Sequence, residues 1–217
     1  APTVGATLTV NTPANVTQHP AGLTVCAGAT ASLSVTVTGG ALTYQWRQNG
    51  VNLSNNGRVS GVTTSLLTIN PSNSSDAGNY DVVVSNACGG PATSNAAALT
   101  VNTPVAITAQ PTGTTKCAGE AATFTVAATG SSLTYQWRKN GSVIPSATAS
   151  SYTLPSVTVA DAASYSVSVS GACGPAVTTA AAALAVNSSV AITLQPSNRV
   201  ACAGSPTSFS VVATGTG

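Results

Sequence analysis

The chain has 217 residues, of which only 5% are charged, and its formal net charge is +2. Folded soluble domains usually carry charge on about a quarter of their residues, and this chain has too little charge for charge-driven disorder. The six Lys and Arg are scattered along the chain, with only Arg138 and Lys139 adjacent, which argues against a phosphate-binding surface and a nucleic-acid partner. The longest apolar run, residues 180–186, is far shorter than the about 20 residues that cross a bilayer, so we expect no membrane span in this segment.

Short motifs recur along the chain and divide it into repeats. The motif at Cys26 (Cys-Ala-Gly) returns at Cys117 and again at Cys202, and the motif at Cys88 (Ala-Cys-Gly) returns at Cys173. Self-similarity at a nearly fixed period is the signature of a tandem array. We therefore predict the last strand of a preceding repeat at 1–11, repeat 1 at 12–102, repeat 2 at 103–187 and the first strands of an incomplete repeat 3 at 188–217.

Each repeat has the strand spacing of an all-β sandwich. Alternating apolar and polar residues return every 8–12 residues, separated by Gly, Pro, Asn and Ser. Pro20, Pro111 and Pro196 interrupt the first strand of each repeat, because proline cannot donate to a ladder. The strands expected in repeat 1 lie near 15–18, 22–26, 30–38, 42–48, 51–53, 64–70, 79–86 and 91–101.

One stretch centres each repeat. Residues 42–50, which read Leu-Thr-Tyr-Gln-Trp-Arg-Gln-Asn-Gly, return almost unchanged at 133–141. Their alternation predicts a half-buried strand that points Trp46 or Trp137 into the core. The Asn-Gly pair that follows accepts the positive φ angles of a type I′ hairpin turn.

These motifs resemble the framework of an immunoglobulin-like domain. The resemblance lies in the patterns Gly28-x-x-x-x-Leu33-x-Val35, Tyr44-x-Trp46, Leu67-x-Ile69 and Asp76-x-Gly78-x-Tyr80, which repeat 2 matches. Together with the two cysteine motifs, the chain is similar to tandem immunoglobulin-like repeats of large secreted and surface proteins of bacteria, including Bacteroidota. The fold class implied is all-β, with tandem immunoglobulin-like β-sandwiches.

The resemblance also implies structural roles for particular residues. Tyr80 and Tyr165 would form tyrosine corners, with their hydroxyls bonded to nearby backbone. Asp76 and Asp161 would brace the preceding turn. Arg58 stands where such domains often place an arginine that pairs with this aspartate. Repeat 2 is six residues shorter there and has no equivalent arginine, so we predict this ion pair in repeat 1 only.

The cysteines depart from the family pattern. The family's usual disulfide would join the positions held by Val35 and Val82, and by Val126 and Val167. Cys26 instead lies at the turn before the second strand, at one end of the sandwich. Cys88 follows Tyr80 by eight residues, or about 26 Å of extended chain, and lies at the other end. A disulfide needs Cα atoms within about 7 Å, so a Cys26–Cys88 bond within one repeat is geometrically poor.

Two pairings remain open at this point. In a tandem array the bottom of one repeat meets the top of the next, which favours an inter-domain bond between Cys26 and Cys173. The partners of Cys88, Cys117 and Cys202 would then lie outside the given sequence. The alternative pairs Cys26 with Cys88 and Cys117 with Cys173 inside repeats.

The chain has few side chains that could act in catalysis or bind a metal. Its acids are Asp76, Asp81, Glu120 and Asp161, and its one histidine, His19, occupies a position held by Gln in the other repeats. No Ser/His/Asp set recurs, and no Cys-x-x-Cys pair is present. We therefore expect no enzyme activity, no catalytic residue, no cofactor and no metal.

The favoured function is a non-enzymatic structural repeat array that forms a stalk or filament segment of a secreted bacterial surface protein. Cysteine use in a Thr- and Ser-rich chain indicates an extracellular or cell-surface location. The expected partners are neighbouring immunoglobulin-like repeats of the same chain, with lateral self-association into a fibre as a further possibility. One alternative is an adhesive module that recognises glycan or protein through loops 53–63 and 86–91. Another is a set of spacer domains in a secreted polysaccharide-degrading enzyme.

Overall fold

The computed structural model describes residues 10–216, and the structural statements below refer to that range. The chain forms two compact units, one ending at Pro104 and the other beginning at Val105. Both are all-β apart from single 3-10 turns at Ser74–Asp76 and Val159–Asp161. The strand expected at 1–11 falls almost wholly outside the described residues.

Unit 1 is a sandwich of two sheets. The larger sheet has the strand order β2-β11-β9-β5-β6, with β10 also paired to β9, and the smaller has the order β3-β8-β7. Strand β1 pairs with β4, and β2 runs parallel to β11. The strands are β1 (Asn15–Gln18), β2 (Leu23–Cys26), β3 (Ala31–Ser34), β4 (Thr36–Thr38), β5 (Thr43–Gln48), β6 (Val51–Asn52), β7 (Val59–Ser60), β8 (Leu66–Ile69), β9 (Gly78–Ser85), β10 (Ala92–Thr93) and β11 (Ala97–Asn102).

Unit 2 repeats this topology with one strand fewer. Its larger sheet has the order β13-β21-β19-β16-β17, with β20 on β19, and its smaller sheet contains only β14 and β18 among the described residues. No described strand corresponds to β7. The strands are β12 (Ala106–Ala109), β13 (Thr114–Cys117), β14 (Ala122–Thr125), β15 (Ala127–Thr129), β16 (Thr134–Lys139), β17 (Ser142–Val143), β18 (Ser151–Leu154), β19 (Ala163–Ser170), β20 (Val177–Thr178) and β21 (Ala182–Asn187).

The last segment repeats the opening of a unit. β22 (Ala191–Leu194) pairs antiparallel with β23 (Val212–Thr214), and its register shifts between Ile192 and Leu194. The β1–β4 and β12–β15 pairs show the same shift. The start of a third repeat in this segment stays a prediction from the sequence.

Three strand predictions differ from the structure. The strand expected at 30–38 is split at Val35, because the Val35 N–H donates to the Ser65 carbonyl while the flanking strands join different partners. The strand expected at 91–101 is interrupted at Ser94, which exchanges hydrogen bonds with the backbone of Val82. Residues 59–60, expected within a loop, form the short strand β7.

The Asn-Gly hairpins have the predicted backbone geometry. Asn49 and Gly50 have φ angles of 51° and 81°, and Asn140 and Gly141 have 48° and 82°. Positive φ at both central residues defines the type I′ turn. Each turn joins the tryptophan strand to a two-residue edge strand.

The core of each unit lies between its two sheets. Trp46 and Trp137 are fully buried, and each indole Nε1 donates to a backbone carbonyl at 2.9 Å. Val35 and Val82, at the positions of the family's usual disulfide, are buried as well. Packing therefore takes the place of a cross-sheet disulfide inside the sandwich.

Candidate functional site

A tyrosine corner closes each sandwich. The Tyr80 hydroxyl donates to the Asp76 carbonyl at 2.7 Å, and the Tyr165 hydroxyl donates to the Asp161 carbonyl at 3.0 Å. These are the hydroxyl–backbone bonds that the resemblance implied, and both tyrosines are fully buried. Burial raises the pKa of Tyr80 to about 12 and also raises the pKa of Tyr165. The neutral phenol is therefore the form that the folded protein holds.

The Asp76 carboxylate braces the corner of unit 1. Arg58 donates to its two oxygens at 2.8 and 3.0 Å and also reaches the Pro71 carbonyl at 2.8 Å. The backbone N–H of Asn73 donates to the same carboxylate at 2.7 Å and completes a capping box. Hydrogen bonding to Arg58, then to Asn73, outweighs burial and holds the pKa of Asp76 below its usual value. The predicted Arg58–Asp76 pair is confirmed.

Asp161 has a different set of partners in unit 2. The backbone N–H and hydroxyl of Thr158 donate to it, and Lys139 Nζ lies 3.1 Å from its other oxygen. These bonds, with Thr158 contributing most, lower the pKa of Asp161. Unit 2 lacks the arginine, as predicted, but the lysine partner was missed. The available signal was that Lys139 replaces Gln48, whose amide donates to the same turn in unit 1.

A second ion pair occurs on the larger sheet of unit 1. Arg47 and Asp81 face each other across β5 and β9, and two N–H···O bonds of 2.7 Å join them. The corresponding Arg138 faces Ser166 and donates instead to the Gly141 carbonyl. The sequence showed both residues but not their register, so this pair was not predicted.

The cysteines of unit 1 lie at its two opposite ends. Cys26 ends β2 and is in register with Asn102, the residue at which β11 ends before the chain leaves the unit. Cys88 lies in the turn after β9, where the Asn86 side chain donates to the Thr12 carbonyl at 2.7 Å. Thr12 lies where the chain enters the unit. The strand-end assignment behind the sequence prediction is thus correct for this unit.

Unit 2 places its cysteines in the same way. Cys117 ends β13 in register with Asn187, at the exit. Cys173 follows β19, in a turn where Gly171 packs closely against Val105 at the start of the unit. Cys173 is buried, whereas Cys117 is exposed.

The cysteines that are oxidised distinguish the inter-domain pairing from the pairing within each repeat. Cys26 and Cys173 each take part in a disulfide. Cys88, Cys117 and Cys202 are free and exposed. Because Cys88 and Cys117 carry thiols, the alternative pairing of cysteines within each unit is wrong.

The acids and the histidine have structural partners. Asp76, Asp81 and Asp161 are in ion pairs, and Glu120 accepts from the Cys117 N–H at 2.6 Å. His19 Nδ1 accepts from the Asn95 N–H at 2.9 Å. Gln110 accepts from the Ala180 N–H at 3.0 Å in the equivalent place.

Residues 10–216 contain no cluster of three or more His, Cys, Asp or Glu with the arrangement of a metal site. No helix in that range is long and apolar enough to span a membrane.

The chain is similar to known immunoglobulin-domain proteins. Residues 14–101 match the family model of the immunoglobulin I-set domain. No curated protein matches the sequence. An I-band fragment of titin superposes with a TM-score of 0.70 at 18% identity, over 85% of this chain and 69% of the titin fragment.

Two further solved structures share the arrangement. Immunoglobulin domains 1–4 of Sidekick-1 give a TM-score of 0.64 at 22% identity, over 81% of this chain and 49% of theirs. A Dscam structure described as the basis of isoform specificity superposes with a TM-score of 0.56 at 25% identity, over 82% of this chain and 46% of the Dscam chain. At these identities the likeness concerns the fold. The chain is therefore an all-β protein that carries immunoglobulin-like sandwiches in tandem, the first of them matching the I-set model.

Proposed function

We propose that this chain is a segment of a non-enzymatic structural array, a stalk or filament of a secreted bacterial surface protein. In the array, repeats 12–102 and 103–187 are whole, and residues 1–11 and 188–217 belong to their neighbours. The tandem fold supports this proposal. So does the use of the acidic side chains in ion pairs and hydrogen bonds that stabilise the fold. The bacterial source and the extracellular location rest on the resemblance of the cysteine motifs and on the presence of a disulfide.

The observation that carries the proposal is the placement of the cysteines. Cys26 lies where the chain leaves unit 1, in register with Asn102. Cys173 lies in the turn beside Val105, where the chain enters unit 2. Along the chain, only residues 103–104 lie between Asn102, where β11 ends, and Val105. Since Cys26 and Cys173 are the disulfide-bonded cysteines, we assign them to one inter-domain bond.

Such a bond would serve a mechanical function. A two-residue linker limits the range of orientations, and a covalent bond beside the linker removes further freedom. Cys88 and Cys117 occupy the corresponding entry and exit positions as free thiols. In the array they would bond to cysteines of the preceding and following repeats, so the same clamp would recur along the fibre.

The adhesive alternative requires loops that are available to a ligand. Loop 53–63 does not meet this requirement well, because Val59 and Val62 are buried and β7 pairs with β8. Loop 86–91 is exposed but contributes a free thiol rather than an aromatic or charged side chain. These features favour the structural role. A spacer in a secreted polysaccharide-degrading enzyme would use the same clamp.

The test is peptide mapping of the native chain under non-reducing conditions, with free thiols alkylated first. We expect one cross-linked peptide pair, containing Cys26 and Cys173, and alkylated Cys88, Cys117 and Cys202. A Cys26–Cys88 or Cys117–Cys173 peptide would contradict the clamp.

A mechanical measurement then tests the role. Cys26→Ser should broaden the distribution of distances between spin labels placed in the two units, whereas the matched variant Cys88→Ser should leave it unchanged. Equal distributions for all three proteins would show that the bond does not restrict the array.

A further inference from the structure

Strand β18 of unit 2 has one uncovered edge. It pairs with β14 along Ala122–Thr125, and its other edge pairs with no strand of residues 10–216. In unit 1 the equivalent edge of β8 is covered by β7, and the Asn70 N–H donates to the Arg58 carbonyl there at 2.8 Å. Unit 2 is six residues shorter at this point, so it lacks the covering segment.

The register identifies the backbone groups that this edge presents. The Val126 N–H donates to the Ser150 carbonyl, so Ser150 faces β14. Alternate residues of a strand direct their N–H and C=O groups to opposite edges. Ser151 and Thr153 therefore direct theirs to the uncovered edge, and Pro155, which has no N–H, ends it.

A depression lies beside the same edge. It has a volume of about 260 Å³ and is lined by residues 145–149 and 151–153. Tyr152 and Leu154 are only half-buried, whereas their unit 1 counterparts Leu67 and Ile69 are 0% and 2% exposed. The missing segment therefore leaves apolar side chains as well as backbone groups open to a partner.

The edge carries none of the usual protection by charge. Natural edge strands are commonly protected by lysine or other inward-pointing charged residues. From Asn140 to Ala160 this chain contains no charged residue at all. A second copy of the same strand would meet no like-charge repulsion, and self-pairing about a two-fold axis needs no other sequence.

We propose that β18 pairs antiparallel with β18 of a second copy of this chain. The two-fold axis passes beside Tyr152, so that Ser151 of one copy lies opposite Thr153 of the other and the two exchange N–H···O bonds. This register keeps paired side chains on the same face and brings the two Tyr152 rings together over the depression. The pairing deepens the proposed array by naming the surface for its lateral association, and it is independent of the disulfide clamp.

The test is sedimentation equilibrium of the full chain in which Cys88, Cys117 and Cys202 are replaced by Ser, so that free thiols cannot link copies. We expect a reversible dimer. Thr153→Lys should weaken dimerisation at least ten-fold, because the two lysines then lie diagonally across the axis on the same face, about 7–8 Å apart, where like charges repel. The matched variant Thr68→Lys, at the equivalent position of unit 1 where β7 covers the edge, should dimerise as the parent does.

A second variant separates backbone pairing from charge and folding. Thr153→Pro removes the N–H that faces the uncovered edge, leaves the backbone hydrogen bonds to β14 in place and loses only the side-chain bond to Thr123. It should therefore also yield a monomer with unchanged tryptophan fluorescence. A parent chain that stays monomeric, or a dimer that survives both substitutions, overturns the proposal. Each of these results leaves the Cys26–Cys173 assignment untouched, because that bond is read from peptide mapping.

Discussion

The two units share one framework but stabilise it by different means. Unit 1 holds its tyrosine corner with a bidentate arginine and adds a second arginine–aspartate pair on the larger sheet. In the described part of unit 2 the ion pair is a single Lys139–Asp161 contact of 3.1 Å. Arginine presents a rigid fork to a carboxylate, whereas the lysine ammonium is a single flexible point charge. The corner of unit 1 is therefore the more strongly fixed by charge.

Unit 2 has aromatic rings where unit 1 has aliphatic side chains. Phe124 and Tyr152 face each other in register, at the positions of Leu33 and Leu67. The Phe124 ring stacks on Tyr165 with centroids 4.8 Å apart, and Tyr152 lies 6.0 Å from the same ring. Unit 2 also lacks the segment that contributes buried Val59 to unit 1, and Ala147 stands at the position of Val62. The same corner can therefore be supported by a charged loop or by a larger aromatic core.

The largest effect is expected from the tryptophans, which test what the units share. Trp46→Ala and Trp137→Ala should each destabilise their own unit by about 3–5 kcal/mol, because each removes a fully buried side chain. Urea unfolding followed by circular dichroism measures the loss. The tryptophan that remains in each variant reports on the other unit by its fluorescence. A loss below 1 kcal/mol in either variant would contradict a core role for that residue.

The second prediction compares how much Asp76 and Asp161 contribute to the stability of their units. Asp76→Ala should cost about 2–3 kcal/mol, since it removes charge-assisted hydrogen bonds to Arg58 and to the Asn73 N–H and leaves the arginine unpaired. Asp161→Ala should cost about 1 kcal/mol, mainly through the lost cap at Thr158. Thermal unfolding of the two variants gives the difference. Equal losses would show that the arginine adds nothing beyond the cap.

The third prediction tests the aromatic support of unit 2. Phe124→Leu gives unit 2 the residue found in unit 1 and should cost about 1–1.5 kcal/mol, because it removes the ring stacked on Tyr165. The reciprocal Leu33→Phe inserts volume into a packed core and should also destabilise, by about 1–2 kcal/mol. Both changes in stability are measured as shifts in the midpoint of urea unfolding, with the dependence of the unfolding free energy on urea concentration unchanged. A gain in stability for Leu33→Phe would mean that unit 1 has room for the ring.

The smallest effect is expected from acid. The folded-state pKa values of Asp76 and Asp161 are lowered, so each carboxylate contributes stability that is present above its unfolded pKa of about 3.9. That contribution is lost as the pH falls through the lower folded-state pKa. The free energy of unfolding should therefore fall below about pH 4, and Asp76→Asn should flatten this dependence. If the free energy of unfolding of Asp76→Asn depends on pH as that of the parent does, Asp76 does not contribute to the loss of stability in acid.

The structural features could largely be predicted from the sequence where the signal was local or repeated. The tryptophan strand, the Asn-Gly turn and the tyrosine corner each lie within a short stretch that occurs twice, so their residues needed no tertiary information. The Arg58–Asp76 pair followed from a family resemblance. The features missed, Lys139 with Asp161 and Arg47 with Asp81, join residues on different strands. Their contact depends on a register that composition does not reveal.

The amino-acid sequence alone was enough to predict that the chain is all-β, that it repeats, and that Cys26 and Cys88 lie at opposite ends of one sandwich. Strand alternation and residue spacing are enough for these conclusions, because both act along the chain. The three-dimensional structure was needed to establish which cation pairs with each aspartate, that Val62 lies in the core and not in a loop, and that β18 has an uncovered edge. These depend on what lies beside a residue in space, and a six-residue difference between two similar repeats is enough to change it.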